Sequence, residues 1–167
     1  MDEKLKNYAF IDGNNLNFGM KGLGWKLDYA RFKRYLKEKY KVEIAYIFLG
    51  YIAKYQPLYS SLQKYGYVLI FKPTIPDGDG NIKGNIDANL VLQAMIDFAK
   101  YEKAVIVTSD GDFYCLIDHL IENKKLEKVI SSHIKNCSSL LKKSAKGKIV
   151  YMDSLRKKLE FIRKNAA

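Results

Sequence analysis

Four aspartates carry the chemistry this sequence offers. Asp12 stands in Phe10-Ile11-Asp12-Gly13-Asn14-Asn15, and Asp110 and Asp112 stand in Thr108-Ser109-Asp110-Gly111-Asp112-Phe113. Asp87 follows a stretch rich in Gly and Pro. Carboxylates are hard oxygen donors that suit Mg²⁺ or Mn²⁺, and two such ions can position an attacking water and stabilise the leaving oxygen of a phosphodiester. Each residue also has an ordinary structural use. Asp112 fits a helix N-cap, Asp87 the first turn of a helix, and Asp110 a turn braced through its own backbone; Asn14 and Asn15 are common turn residues. Gathered at one place, the four carboxylates would repel one another and raise one another's pKa, a cost that a bound cation removes. Asp12, Asp87, Asp110 and Asp112 are therefore the candidate metal ligands and catalytic acids. Neither His119 nor His133 has the spacing of a general acid/base pair, so metal-dependent hydrolysis is favoured. A phosphatase with an aspartyl nucleophile would carry a second acid two residues after the first, where Asn14 stands.

The elements decide whether these acids meet. Tyr8 to Ile11 is a short apolar run that reads as a strand ending at Asp12. Asp28 caps a helix to about Tyr40, with Phe32, Leu36 and Tyr40 on one face. Ile44 to Leu49 is a second strand. Leu58, Leu62 and Tyr65 fit a helix closed by Gly66, and Tyr67 to Phe71 is a third strand. Residues 72–83 read as a long loop with the character of a flap. Leu90, Ala94 and Phe98 line a helix, Ala104 to Thr108 is a fourth strand, Phe113 to Glu122 a helix, and Lys128 to Ser131 a fifth strand; Ile149 to Met152 adds a sixth. Strands alternating with helices predict a three-layer α/β/α sandwich with a mostly parallel sheet. Ligands of such sheets bind outside the carboxyl ends of the strands, where the order switches direction. Asp12 and Asp110 belong to that edge.

Composition narrows the partner. The chain has 167 residues, 48% hydrophobic and 28% charged, which suits one packed domain. Its 29 Lys and Arg against 18 Asp and Glu leave a formal net charge of +11. Nucleic acid is the leading partner class for such a surplus, because each cation set against a phosphate releases counterions. Lysines spread along the whole chain do not mark a membrane-surface helix, and no segment has the length of a span or signal peptide. Cys115 and Cys137 form neither a disulfide framework nor a zinc spacing. A cytoplasmic location is expected. The segment 77–81 begins like a calcium loop but lacks its turn glycine and closing glutamate, and Gly19, Gly22 and Gly24 form no phosphate-binding motif; they suggest a flexible loop. Phe18, Trp25 and Tyr51, interleaved with Lys26 and Lys54 near the carboxyl edge, are candidates for stacking and backbone contacts to unpaired RNA bases.

The segments around Asp12 and Asp110, with Lys83-Gly84-Asn85-Ile86-Asp87 between them, resemble the three signature segments of NYN domains, particularly the LabA-like branch of this PIN-like nuclease superfamily. The resemblance extends from about Tyr8 to Tyr151. It implies a sheet in the order 3-2-1-4-5, Asp12, Asp87 and Asp110 as metal ligands, Asp112 as a further acid, Asn15 as a metal-site or phosphate-orienting amide, and Lys83 as a phosphate contact. Asn14 and Ser109, beside the acids, join the expected RNA contacts. Gln93 stands where many relatives carry another aspartate, and Lys146 occupies a place often acidic. The implied activity is a metal-dependent endoribonuclease using Mg²⁺ or Mn²⁺ on RNA, single-stranded RNA being favoured; the alternative is an RNA-binding module of the same fold with little turnover. Residues 1–153 form the expected nuclease domain and 154–167 a basic C-terminal helix packed on it or extending from it. The oligomeric state is open, a homodimer included.

Overall fold

The computed structural model describes residues 4–73, 75, 76, 78, 79, 82, 83 and 86–163. Strands β1 (Asn7–Asp12), β2 (Val42–Gly50), β3 (Val68–Lys72), β6 (Ala104–Val107), β7 (Leu126–Ser131) and β8 (Ile149–Tyr151) form one sheet in the order β3-β2-β1-β6-β7-β8. Every pairing in it is parallel. Counting only these strands, the order is 3-2-1-4-5-6, the expected sheet with a sixth strand at its far edge. Sequence alternation explains why it is covered on both faces. In β1, Ala9 and Ile11 enter one core cluster while Tyr8 and Phe10 enter the other, and in β6 Val105 and Val107 are divided from Ala104 and Ile106 in the same way. Side chains two apart along a strand share a face, so a continuous apolar run feeds two cores at once.

The first core is closed by α1 (Gly13–Leu23), α2 (Tyr29–Tyr40) and α3 (Gln56–Lys64), the second by α4 (Asp87–Ile96), α5 (Tyr114–Glu122) and α6 (Ser139–Ala145). In α2 the expected Phe32, Leu36 and Tyr40 are the buried face, and Asp28 caps it by accepting the Arg31 N–H at 3.0 Å. The second core also contains a polar anchor. Asp97 is buried, yet hydrogen bonds from Tyr46 Oη (2.6 Å) and Gln93 Nε2 (2.9 Å) and the ammonium of Lys100 (3.3 Å) satisfy it. Burial opposes its ionisation, but these donors outweigh burial and hold the carboxyl below its usual range.

Four expectations change. The glycines at 19, 22 and 24 do not make a flexible loop: α1 starts directly after Asp12 and buries Leu16 and Met20, four residues apart. Glycine is used there for close approach, since a Cβ on Gly13 would lie 2.8 Å from the Phe48 carbonyl oxygen and one on Gly19 would lie 2.5 Å from Ser132 Cβ. Within 72–83, Ile75–Pro76 pairs with Ile82–Lys83 as a short antiparallel ribbon, β4 and β5. In α3 the buried residues are Tyr59 and Leu62, whereas Leu58 and Tyr65 are exposed. The C-terminal helix α7 spans only Arg156–Leu159; Leu159 enters the first core, but the next residue pairs with Leu27 as an antiparallel bridge, leaving Ile162 exposed. Among the described residues, no helix is long and apolar enough to cross a membrane.

Candidate metal centre

Strand register brings the first two signature segments together. Ile11 pairs with Val107, so Asp12 and Thr108, one residue further, leave the sheet side by side. The order reverses between β1 and β6, which makes this the crevice where open parallel sheets bind ligands. Asp12 is both the end of β1 and the N-cap of α1, with Oδ1 accepting the Asn15 N–H at 3.2 Å. Its Oδ2 accepts from Thr108 Oγ1 at 3.2 Å, and Thr108 Oγ1 in turn accepts the Asp110 N–H at 3.1 Å. Asn15 Oδ1 takes the Ser109 N–H at 2.8 Å. Two short cross-links, one from each segment, therefore fix the Asp12 and Asp110 backbones relative to each other.

Asp87 arrives from the other side. It is the first residue of α4, where an anion is favoured by the helix dipole, and Ile86 and Leu90 bury on either side of it to fix the helix start. The result is a group of three carboxylates: one oxygen each from Asp12, Asp87 and Asp110 lie within 4.8 Å of one another. Asp12 is only 3% exposed. Burial first, and then the charges of Asp87 and Asp110, raise its carboxyl to about 6 against the stabilising bonds from Asn15 and Thr108. Asp87 is raised by burial and by Asp110 and Asp112, with Lys72 opposing. The donor set suits a hard cation. In a six-coordinate Mg²⁺ site with oxygens at about 2.1 Å, neighbouring ligand oxygens lie about 3 Å apart, so the three carboxylates, now within 4.8 Å of one another, would draw closer around the ion.

The remaining expected residues are distributed as follows. Asp112 is not among the three convergent acids: it is exposed, and its backbone N–H donates to Asp110 Oδ1 at 2.9 Å, so it begins the turn Gly111–Phe113 and reaches the site only through its charge. Ser109 is buried, its Oγ 2.7 Å from Ser131 Oγ and 3.2 Å from Ser132 Oγ, and thus braces β6 against β7 instead of meeting RNA. Trp25 is likewise a core residue, packed with Met20 and Leu27, and is unavailable for stacking. Asn14 is exposed at the start of α1, and Phe18 is 76% exposed on the same helix. Tyr51 is exposed just beyond β2, edge-on to Phe71 at 5.5 Å. Lys26 lies over the Phe161 ring at 4.9 Å, and Lys54 lies over Tyr55 at 5.0 Å. The side chain of Lys83, and Gly84 and Asn85, lie outside the described residues. Gln93 faces Asp97 and gives the three acids no further ligand.

Thr108, Ser131, Ser132 and Lys72 are the neighbours of the acids and of Ser109 that sequence reasoning missed. Lys72 ends β3, and the carboxyl-edge rule that selected Asp12 applies to it equally. The serine pair carried no comparable local signal, because its use depends on Ser131 and Ser132 standing opposite the Ser109 hydroxyl.

Comparison with known proteins agrees with this geometry. The NYN domain family matches residues 7–153. A stretch of 121 residues is 26% identical to the low amplitude and bright protein LabA of Synechococcus elongatus, covering 66% of this chain and 65% of that protein. The chain thus spans about two-thirds of the length of that relative. The crystal structure of a protein of unknown function from Vibrio parahaemolyticus superposes with a TM-score of 0.74 over 91% of this chain and 95% of the other, at 23% identity, and shares the fold. With the signature segments converging on one carboxylate cluster at the sheet's switch point, the chain belongs to the NYN domain family, whose members are generally PIN-like nucleases.

Proposed function

We propose that this protein is a metal-dependent ribonuclease. The observation that supports it most strongly is the convergence of Asp12, Asp87 and Asp110 within 4.8 Å at the crevice of a parallel sheet, in a chain that carries a net charge of +11. Three anions held together in a basic protein favour a divalent ion, and the basic surface favours a polyanionic substrate. These three side chains would hold Mg²⁺ or Mn²⁺, which when bound supplies an activated water and neutralises charge on the scissile phosphate.

The protein's own residues do the positioning. Asn15 and Thr108 fix the Asp12 carboxylate, while Thr108 also holds the backbone of Asp110. Lys72, whose charge reaches Asp87, would meet a phosphate oxygen. Exposed Phe18 and Tyr51 offer ring faces to unpaired bases, a mode that tolerates many sequences and suits single-stranded RNA. The direct test is incubation of labelled single-stranded RNA with Mg²⁺ or Mn²⁺, beside EDTA and the Asp110→Asn protein. Internal cleavage that EDTA and the substitution both abolish is expected. RNA binding without cleavage under any metal would assign the chain to the binding-module alternative.

A further inference from the structure

The edge of the sheet opposite the aspartates carries a second feature. A cleft of about 1040 Å³ opens between the strand starts and the C-terminal half of α2, lined by eight basic and four acidic side chains. Lys33, Arg34, Lys37 and Lys39 come from α2, while Lys4 and Lys6 come from the segment leading into β1. A smaller concavity on the outer side of α2 shares Arg34 and Lys39 and adds Arg31 and Lys158, so the basic surface continues around the helix. Lys6 and Lys103 reach Glu43 and Glu127 only at 3.9 Å. Among the described residues, Lys33, Arg34, Lys37 and Lys39 form no ion pair.

Cations in the last turn of a helix offset its dipole, but that accounts for Lys37 and Lys39 alone; Lys33 and Arg34 lie a turn earlier. Their clustering is unfavourable in isolation. Burial, with the nearby charge of Lys37, pushes the Lys33 amine below its usual range. A membrane surface does not fit, because α2 turns Phe32, Leu36 and Tyr40 inward and leaves no apolar face to enter a bilayer.

We propose that this cleft is a second nucleic-acid site, which holds the sugar-phosphate backbone of single-stranded RNA on the far side of the sheet from the aspartates. The two sites are separated by the length of the six-residue β1, about 17 Å, so one RNA strand can occupy both by passing over the sheet edge. The inference rests on the ribonuclease reading only for the choice of RNA as the polyanion.

The test measures binding, not cleavage. A short labelled RNA is titrated in EDTA, over a range of salt concentrations, with the unaltered protein, with Arg34→Gln/Lys37→Gln/Lys39→Gln, and with Lys4→Gln/Lys6→Gln. All of these positions are exposed, and thermal unfolding confirms that the variants remain folded. The triple variant is expected to bind about tenfold more weakly at moderate salt and to lower the slope of log K against log salt by about 2, since each phosphate contact on a single strand contributes about 0.7. The double variant should weaken binding in the same direction. Affinities within twofold of the unaltered protein for both variants would overturn the proposal. So would binding to phosphatidylserine vesicles with no binding to RNA. Because no metal is present, a failure to cleave RNA elsewhere leaves this result standing, and normal cleavage with unchanged binding in both variants rejects the second site alone.

Discussion

Asp12 combines two roles that pull against each other. It caps α1 and closes β1, which favours a charged acceptor, yet it is buried beside two other acids, which disfavours charge. Its carboxyl, raised from 3.8 to about 6, contributes stability to the metal-free protein that is fully present below about pH 4, where the group is protonated in both folded and unfolded chains, and that is lost as pH rises through 6. Asp12→Asn should therefore unfold later than the unaltered protein at pH 7.5, by about 2 kcal/mol in urea denaturation, with the difference vanishing near pH 4. Mn²⁺ should raise the unfolding midpoint of the unaltered protein and leave that of the variant unchanged. Asn15→Ala removes the acceptor for the Ser109 N–H and should cost about 1 kcal/mol while slowing cleavage more than it weakens RNA binding, a split visible by comparing single-turnover rates with affinities. At this scale the sequence revealed most of the site. Aspartates after strands stand out, and three of the four converge. Asp112 does not, because a carboxylate two residues after another in a tight turn is carried outward by the same backbone bond that makes Asp110 the cap. Trp25 and Ser109 misled for a related reason: their polarity or aromatic character was visible, but their burial depends on how α1 and β7 pack around them, which no local pattern shows.

Four elements bring the acids together, and packing fixes each of them. β1 and β6 pair in register up to Ile11 and Val107, α4 is anchored by Ile86 and Leu90, and α1 passes close over β2 because residue 13 has no side chain. Gly13→Ala would place a methyl 2.8 Å from the Phe48 carbonyl oxygen, which the core cannot yield without shifting the first turn of α1. We expect a loss of about 1–3 kcal/mol in urea unfolding, together with weakened Mn²⁺ binding because Asp12 caps the displaced turn. α1 is also the element that the sequence concealed. Gly19, Gly22 and Gly24 read as loop, and only the spacing of Leu16 and Met20 marked a helix. The strands and α2 were legible because they are long, strongly patterned and capped in the ordinary way, whereas the ribbon of β4 and β5 is two residues per strand and offers no period to detect.

Across the whole molecule, acids and bases occupy opposite ends of the sheet. The carboxyl edge gathers Asp12, Asp87 and Asp110, and the amino edge gathers Lys33, Arg34, Lys37 and Lys39 of α2. The strand order was legible through the family resemblance, but the amino-edge cleft was not, because lysines spread evenly in sequence converge only when β1, β6 and α2 meet. The net charge of +11 predicts that RNA affinity falls steeply with salt, which a binding series from low to physiological ionic strength will show. The proposed function requires the three aspartates to act together as one cation site. Calorimetric titration of Mn²⁺ into the unaltered protein, Asp87→Asn and Asp110→Asn tests this most directly. Saturable binding to the unaltered protein that either substitution weakens by tenfold or more is the predicted result. Absence of binding in the presence of RNA as well as without it, or equal affinity in all three proteins, would contradict it.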